Sequence, residues 1–227
     1  GEFADLADLD AESRGVLGCV TYPDARLHDR LRTFFAHAGQ RGLDADFHVD
    51  ETGDPEAASL RVIAETVLET GFDAPVTVGH CCSLAVQPDA EWLHTLDLVA
   101  RAGIHVVSLP MCNLYLQDRQ AGRTPRWRGV TLVHEMAARG INVSFASDNT
   151  RDPFYAYGDL DMLEVMREAT RIAHLDHSRA DWPRAFLTNP ARACGFAAPG
   201  LAPGAPADLV ICRARNWSEL FARPQSD

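Results

Sequence analysis

The sequence predicts an α/β protein in which parallel strands alternate with helices. Five short runs rich in apolar and β-branched residues are each followed by a segment with helical spacing. These runs are residues 15–22, 46–50, 76–80, 105–110 and 142–148. Nearly continuous apolar runs are typical of a parallel sheet covered by helices. The pattern is compatible with a closed barrel and with an open doubly wound sheet.

The segments between the predicted strands have the apolar period of helices that pack on a sheet. In one of them apolar residues recur between Leu60 and Leu68, and Gly71 stands where the helix should end. A second segment, from Leu93 to Val99, is followed in the same way by Gly103. Glycine is the usual residue just past a helix end, because it adopts positive φ without strain.

Polar residues stand at the carboxyl ends of three predicted strands. His48, Asp50 and Glu51 close the second strand, His80 ends the third, and Asp148 ends the fifth. A TIM-like (β/α)8 barrel gathers the carboxyl ends of its strands around one mouth, which is where such enzymes place their active sites. The barrel explains the position of all these residues together, so it is preferred to the open sheet.

The last third of the chain predicts helices and then a small β appendage. An irregular stretch after Asp148 precedes helices predicted at residues 159–174 and 182–194. A final strand is predicted at residues 207–213, after glycines and prolines typical of turns. The predicted domains are a barrel portion at residues 1–198 and a partial C-terminal β appendage at residues 199–227.

The composition of the chain limits the partners that it can bind and the cellular compartment in which it is expected. The chain has 227 residues and a formal net charge of −11, which opposes binding to a nucleic-acid polymer. No run approaches the roughly 20 apolar residues that a bilayer requires, so a cytoplasmic protein without membrane contact is expected. The six cysteines form no C-x-x-C pair, and we expect them to be buried, reduced thiols.

The end of the second strand carries groups suited to metal-assisted hydrolysis. A neutral imidazole such as that of His48 binds Zn²⁺ or Fe²⁺, and a carboxylate whose pKa is raised by burial can carry protons. His48 and Asp50 share a face if the strand persists, whereas the following loop must turn Glu51 inward. A surface strand that ends in a capping Asp50 and a solvated Glu51 is the alternative interpretation.

His80 and Asp148 have equally ordinary alternatives when each is taken alone. His80 is also compatible with a core histidine, and Asp148 with the N-cap of a following helix. A buried carboxylate at the end of an apolar strand needs a cation or a proton, and metal coordination meets that need. Convergence of His48, His80 and Asp148 requires the sheet to close, and this joint condition is more specific than any single residue.

Several segments resemble successive motifs of the cytosine deaminase branch of the amidohydrolases. They occur in family order at residues 46–51 (DFHVDE), 79–80 (GH), 109–117 (LPMCNLYLQ), 128–131 (RGVT) and 147–154 (SDNTRDPF). Residues 189–192 and 204–210 are similar to the amidohydrolase tail. The resemblance implies a (β/α)8 barrel of which this chain holds strands 4 to 8. It also implies hydrolytic deamination of a small nitrogen heterocycle.

The resemblance assigns roles to individual residues. It implies that His48 and Asp148 bind one divalent metal ion, Zn or Fe with Mn as a further option, and that Asp148 also accepts a proton from the attacking water. Glu51 would move that proton to a ring nitrogen, and His80 would hydrogen-bond the nucleophile or the substrate.

Three further residues are expected to contact the substrate, namely Gln117, Asn149 and Phe154. Asn149 and Phe154 stand where cytosine deaminases usually carry an aspartate and a tryptophan, so a related cyclic amidine or guanidine is as compatible as cytosine. Arg119 and Arg123 follow Gln117 in the same loop and could line the mouth, but solvated loop polarity is the favoured explanation for these loop residues.

The family takes two more metal ligands from a His-x-His pair on its first strand, and this chain contains no such pair. Two interpretations follow. The chain is part of an enzyme whose barrel is completed by a longer parent, a complementing chain or a homo-oligomer, or it is a non-catalytic half-barrel that serves as an assembly component.

Overall fold

A single parallel sheet of five strands organises the chain. The computed structural model describes residues 2–197 and 200–222. The strands follow one another in space in the order β1-β2-β3-β4-β5, and each pairs in parallel with the next. The elements in chain order are α1 Glu2–Ser13, β1 Leu17–Val20, α2 Leu27–Arg41, β2 Ala45–Val49, α3 Ser59–Thr70, β3 Val76–His80, a 3-10 turn Cys82–Val86, α4 Asp89–Ala102, β4 His105–Ser108, α5 Pro110–Leu116, α6 Val133–Ala138, β5 Val143–Phe145, α7 Met162–Ala173, 3-10 turns Leu175–His177 and Trp182–Phe186, α8 Thr188–Ala193 and α9 Trp217–Ala222.

All five predicted strands are present, and the α/β class is confirmed. Three of them, β1, β4 and β5, are shorter than predicted, whereas β3 has the predicted bounds and β2 is shifted by one residue. The helix predicted at residues 159–174 begins at Met162, where the Asp161 side chain accepts a hydrogen bond from Leu163 N (2.9 Å) as an N-cap. The helix predicted at 182–194 is a 3-10 turn followed by α8, with Leu187 outside the helical conformation between them.

The two faces of the sheet have different environments. On the outer face Phe47 and Val49 of β2 pack against the helices and are fully buried. The strand register places one residue of each strand in a single row across the inner face. That row is Val20, His48, Gly79, Val107 and Ser144. It is open at the β1 end, where Val20 is 53 % exposed.

Helix α1, which the sequence analysis did not predict, packs beside α2. Ala7 is fully buried, and the ring of Phe3 lies 5.7 Å from that of Phe34. Strand β1 is the edge of the sheet on this side, since β2 is its partner on one side and none of the described residues pairs with it on the other. An unpaired parallel edge is a surface on which a further strand can add.

The predicted C-terminal strand is not formed. Residues 207–211 have no regular secondary structure, and Leu209, Val210 and Ile211 are exposed. This apolar run is compatible with a strand, but none of the described residues supplies a partner strand to pair with it. The boundary predicted between residues 198 and 199 falls outside the described residues, and the two-domain division stays a prediction.

The expectation of buried thiols holds for half of the cysteines. Cys81, Cys82 and Cys112 are buried near the carboxyl ends of the strands, whereas Cys19 and Cys194 are exposed and Cys212 is intermediate. Cys19 lies on the edge strand, where no neighbouring element covers it. Within residues 2–197 and 200–222, no helix has both the length and the apolar character needed to span a bilayer.

Candidate active site

Three of the predicted site residues share an unusual backbone conformation. Asp50 has φ 47°, His80 has φ 70° and Asp148 has φ 64°, which is the left-handed region. Residues other than glycine adopt it infrequently, and they concentrate at sites where the surrounding structure forces it. At each strand end this conformation interrupts the alternation of side chains and redirects the chain. These turns therefore shape the rim of the sheet, by which we mean the carboxyl ends of its strands and the loops that follow them.

His80 lies against His48 on the inner side of the rim. Their rings are 4.9 Å apart, and His80 Nε2 is 3.1 Å from His48 Nδ1. His80 is 2 % exposed, whereas His48 is exposed on the open face. Burial lowers the pKa of His80 to about 4, and the neighbouring His48 adds to this while the charge of Asp148 opposes it. His80 is consequently a neutral imidazole at neutral pH.

Glu51 reaches the same place from the loop after β2. Its side chain is 33 % exposed, and Glu51 Oε1 lies 3.6 Å from His80 Nδ1. Partial burial raises the pKa of Glu51 and the charge of Asp148 raises it further, against smaller opposite effects of His48 and Asn113. A carboxyl group with a raised pKa is suited to exchanging protons near neutral pH.

Asn113, which the sequence analysis did not select, connects these two groups. It is 1 % exposed on the short helix α5. Its Nδ2 donates a hydrogen bond to Glu51 Oε1 (3.0 Å) and lies 3.0 Å from His80 Nδ1. The signal in the sequence was its place in the 109–117 motif, directly after a strand whose end faces the mouth. Asparagine is common at helix starts, so its residue type alone indicated nothing.

Asp148 faces the site with an unsatisfied oxygen. Its Oδ2 is buried and has no hydrogen-bond partner among the described residues. Its charge acts on the pKa of both Glu51 and His80, so it lies in the same cluster. No helix begins between it and Met162, which rules out the N-cap alternative. A buried carboxylate oxygen without a donor is costly unless a cation or a proton meets it.

The condition under which Asp50 would point with His48, that the strand continues through it, is not met. Strand β2 ends at Val49, and the left-handed backbone of Asp50 turns its side chain into the protein, where it is 5 % exposed. Its two oxygens accept hydrogen bonds from Ser59 N and Leu60 N, both at 3.0 Å. Asp50 therefore caps the N-terminus of α3 from a distance, in agreement with the capping alternative for this residue.

The three predicted substrate contacts lie in different surroundings. Gln117 borders the site, because its Nε2 donates to the backbone oxygen of Glu51 (3.3 Å). Gly129 permits this, since a Cβ there would lie 2.3 Å from Gln117 Cγ. Asn149 is held within its loop by the Cys112 thiol (3.3 Å) and by Asp152 (2.7 Å). Phe154 is 59 % exposed on that loop.

The donor set fits part of a metal site. His48 offers an exposed imidazole, and Asp148 Oδ2 is a buried oxygen without a hydrogen-bond partner among the described residues. Imidazole and carboxylate together suit Zn²⁺, Fe²⁺ or Mn²⁺. Over residues 2–197 and 200–222, no group of three or more histidine, cysteine or acidic side chains is arranged to hold an ion. The chain thus provides two potential ligands, fewer than the three protein ligands usual at a catalytic zinc.

Fold and rim together define the class of protein. The amidohydrolase family profile matches residues 7–227, and this chain belongs to that family. Its five strands are part of a barrel, as predicted from the resemblance. In the crystal structure of Klebsiella pneumoniae 5-methylcytosine deaminase liganded with 5-fluorocytosine, a region 31 % identical superposes with a TM-score of 0.82. The match covers 96 % of this chain and 55 % of that one.

Two further proteins are similar to this chain. A pterin deaminase of Rhizobium rhizogenes is 55 % identical over 226 residues, which is 99 % of this chain and 52 % of the relative. The N-isopropylammelide isopropylaminohydrolase structure from Burkholderia multivorans is 28 % identical with a TM-score of 0.75, and the match covers 98 % of this chain and 54 % of that one. This chain spans about half the length of the relatives it matches.

Proposed function

We propose that this chain supplies the carboxyl-terminal half of the barrel of a metal-dependent deaminase that acts on a small nitrogen heterocycle. The observation that carries the proposal is the cluster at the rim, where Asn113 joins Glu51 to His80 at 3.0 Å each. The negative charge of Asp148 raises the pKa of both Glu51 and His80. A proton carrier, a neutral hydrogen-bonding ring and an unpaired carboxylate are the parts that such hydrolysis needs.

Each of these residues has a task in the proposed reaction. Asp148 takes the proton released by the attacking water, and Glu51 delivers a proton to the ring nitrogen beside the carbon under attack. Asp148 then passes its proton to the amino group and Glu51 takes the proton of the newly formed hydroxyl, so that the C–N bond breaks, a carbonyl forms, ammonia leaves and both carboxyl groups return to their starting states. His80 is neutral and hydrogen-bonds the nucleophile or the substrate, while Asn113 fixes the orientation of Glu51 and His80.

His48 and Asp148 are the residues of this chain that would hold the metal ion, Zn²⁺ or Fe²⁺ with Mn²⁺ as a further option. A bound ion of this kind would lower the pKa of water towards roughly 7 and so supply an ionised water without strong base. The remaining ligands would come from outside these 227 residues.

The substrate we favour is a pterin. The relative that is 55 % identical is a pterin deaminase, whereas the matched 5-methylcytosine deaminase structure is 31 % identical. A pterin presents a cyclic guanidine, in which an amino-bearing carbon lies between two ring nitrogens, so the proton delivered by Glu51 has an acceptor. A cytosine-like pyrimidine or another cyclic amidine is the competing substrate.

The test uses the full-length protein that contains this chain. Ammonia release is measured with pterin, isocytosine, cytosine and creatinine. We expect Glu51→Gln to retain the metal and to lose turnover, and Asp148→Ala to lose both. Glu56→Gln, at an exposed position in the same loop, is the matched control and should leave both unchanged. Full turnover by Glu51→Gln would refute the role of Glu51, and no turnover of any of the four by the wild type would refute the proposed function.

The open inner face supports a second candidate function, that of a non-catalytic assembly component. His48 and Val20 are exposed there because β1 has no further neighbour among the described residues. If the full-length protein holds no metal and hydrolyses none of the four heterocycles, this second function is the one to retain.

A further inference from the structure

On the basis of the function proposed above, we propose that Asn149 is a positioning residue and not a contact of the substrate. It ties the turn that carries Asp148 to helix α5. Asn149 directly follows Asp148, whose backbone is left-handed with φ 64°. Contacts that hold Asn149 in place therefore also hold the carboxylate that the proposed reaction needs.

Both polar atoms of the Asn149 side chain are engaged within the protein. Its Oδ1 accepts a hydrogen bond from the thiol of Cys112 (3.3 Å), which is fully buried on α5. Its Nδ2 donates to Asp152 Oδ2 (2.7 Å). Because an ionised carboxylate can only accept, the nitrogen of the amide has to face Asp152. The amide has a protein partner on each side, which favours a structural link over a substrate contact.

The link continues into the loop that follows β5. The second oxygen of Asp152, Oδ1, accepts from Phe154 N and Tyr155 N, both at 2.9 Å. The Tyr155 amide lowers the pKa of Asp152, and the contacts with Asn149 and Phe154 lower it further. Asp152 is therefore an ionised acceptor at neutral pH. A chain of hydrogen bonds thus runs from α5 through Asn149 and Asp152 to the backbone of the loop.

The loop of residues 149–158 closes on itself and on α5. Within it Arg151 has φ 52°, a conformation that non-glycine residues keep only where the surroundings impose it. At its end Gly158 is buried, and a Cβ there would collide with the backbone oxygen of Asn149. The ring of Tyr155 lies 5.3 Å from that of Tyr115 on α5. One polar and one aromatic contact thus hold the loop on the same helix.

Helix α5 consequently supports both sides of the site. Asn113, which follows Cys112 in this helix, joins Glu51 to His80. Cys112 lies beside the turn of Asp148, since burial raises the pKa of its thiol to about 12 and the Asp148 carboxylate contributes to this rise. Two neighbouring residues of one helix therefore locate the proton carrier on one side and the unpaired carboxylate on the other.

The experiment reverses the direction of the pair in the full-length protein. In Asn149→Asp two carboxylates face each other, and in Asp152→Asn two amides do. In the double variant the amide introduced at position 152 can donate to the carboxylate introduced at position 149, while its oxygen keeps the two backbone contacts. The measurements are kcat and KM for pterin, metal content and the thermal unfolding midpoint.

We expect Asn149→Asp to lower kcat about tenfold, the effect of losing a hydrogen bond to a charged group, and to leave KM nearly unchanged. Asp152→Asn should cause a smaller loss, because its backbone contacts remain. The double variant should recover a kcat within about threefold of the wild type, as expected for two residues that act as a pair. The unfolding midpoint should change little.

Asp159→Asn, combined with Asn149→Asp, is the matched control. It offsets the same added charge beyond Gly158, where Asp159 accepts from Asp161 N (2.8 Å), and it should not restore kcat. A double variant of Asn149 and Asp152 no better than Asn149→Asp, or equal recovery with Asp159→Asn, overturns the proposal. A kcat that only follows the unfolding midpoint overturns it as well.

A wild type that deaminates none of the four heterocycles defeats the proposed function, and amide hydrogen exchange then tests the link by itself. Faster exchange of the Phe154 and Tyr155 amides in Asn149→Asp, reversed in the double variant, supports the link between Asn149 and Asp152. Equal exchange in all variants overturns it.

Discussion

Asn113 shows how a residue without titratable chemistry can organise a site. One amide nitrogen reaches Glu51 and His80, and the side chain is held on α5, which begins directly after β4. Helix α5 starts at Pro110, whose φ angle is fixed by its ring, and Asn113 follows three residues later in the first turn. The start of the helix therefore determines where Asn113 lies relative to the sheet. The orientation of the proton carrier consequently depends on the start of a neighbouring helix.

We predict that Asn113→Leu lowers kcat about 10- to 100-fold in the full-length protein. A hydrogen bond to a charged group contributes about 1.5–3 kcal/mol, and leucine has a similar size but no donor. KM, metal content and the thermal unfolding midpoint should change little, since the role is to orient Glu51. The comparison is made by steady-state kinetics with metal analysis on the same preparation.

Asn142→Leu is the control for that prediction. Asn142 donates to Asn189 O (3.0 Å) at the opposite end of β5, so the same substitution there removes a hydrogen bond away from the rim. Its kcat should stay within about twofold of the wild type, a change of less than about 0.4 kcal/mol in the barrier. Equal losses of kcat and of unfolding midpoint in both variants would show that Asn113 acts through stability.

The residues at the end of β2 show what strand periodicity can predict. The sequence predicted His48 on the inner face, and that placement depends only on alternation within a regular strand. Asp50 was expected beside it, but the strand ends one residue earlier and φ becomes positive. Alternation therefore places residues inside a strand correctly, and it carries no information on a turn that follows one.

The loop of residues 118–128 is organised by one carboxylate. Asp118 accepts from two backbone amides and from Arg123, and Gly129 at its end has φ 67°. Sequence analysis noted Arg119 and Arg123 in this loop as possible residues of the mouth, with solvated loop polarity as the favoured explanation. Its pairing with Asp118 depends on a turn that no periodic pattern describes.

A pH dependence follows for this loop. The folded-state pKa of Asp118 is lowered from 3.8 to about 2, so its contacts favour the ionised form. Their stabilising effect is complete above the unfolded pKa and is lost as the pH falls from about 4 to about 2. A carboxyl-carbon NMR titration of Asp118 should give a midpoint near 2. A midpoint near 4 would show that the loop does not hold the carboxylate in solution.

Among the elements, the strands were predicted better than the helices and the tail. The five strands stood out because each is a short run rich in apolar and β-branched residues that is followed by a segment with helical spacing. Helix α1 has a weak apolar stripe and lies outside the repeating unit, which explains why it was missed. The predicted strand at 207–213 is an apolar run that follows turn residues, but a strand forms only with a partner, and pairing is not encoded in its own sequence.

The five-stranded sheet leaves its inner face partly uncovered. In a closed barrel the inner-face row would be surrounded by strands on all sides, whereas here it is open beside β1. The potential metal ligands His48 and Asp148 stand on this side of the sheet, without a third ligand among the described residues. The sequence predicted this incompleteness, because it contains no His-x-His pair.

Metal binding should therefore depend on completion of the barrel. We predict that the 227-residue chain alone retains much less than one equivalent of Zn²⁺ after dialysis, because it offers two ligands where catalytic zinc usually has three. The full-length protein, or an assembly with a complementing chain, should retain about one ion per barrel. Elemental analysis of both samples by mass spectrometry is the measurement. A tightly held ion in the chain alone that survives replacement of both His48 and Asp148 by alanine would contradict the assignment.

The left-handed backbone of His80 has one more consequence. Its φ of 70° is a conformation that glycine adopts without strain, so His80→Gly would remove the ring and leave the shape of the turn intact. The vacated space beside Asn113 has the dimensions of an imidazole, and free imidazole added to the buffer could occupy it. Recovery of turnover with rising imidazole concentration would show that the reaction needs the imidazole ring at this place and does not need its covalent link to the backbone.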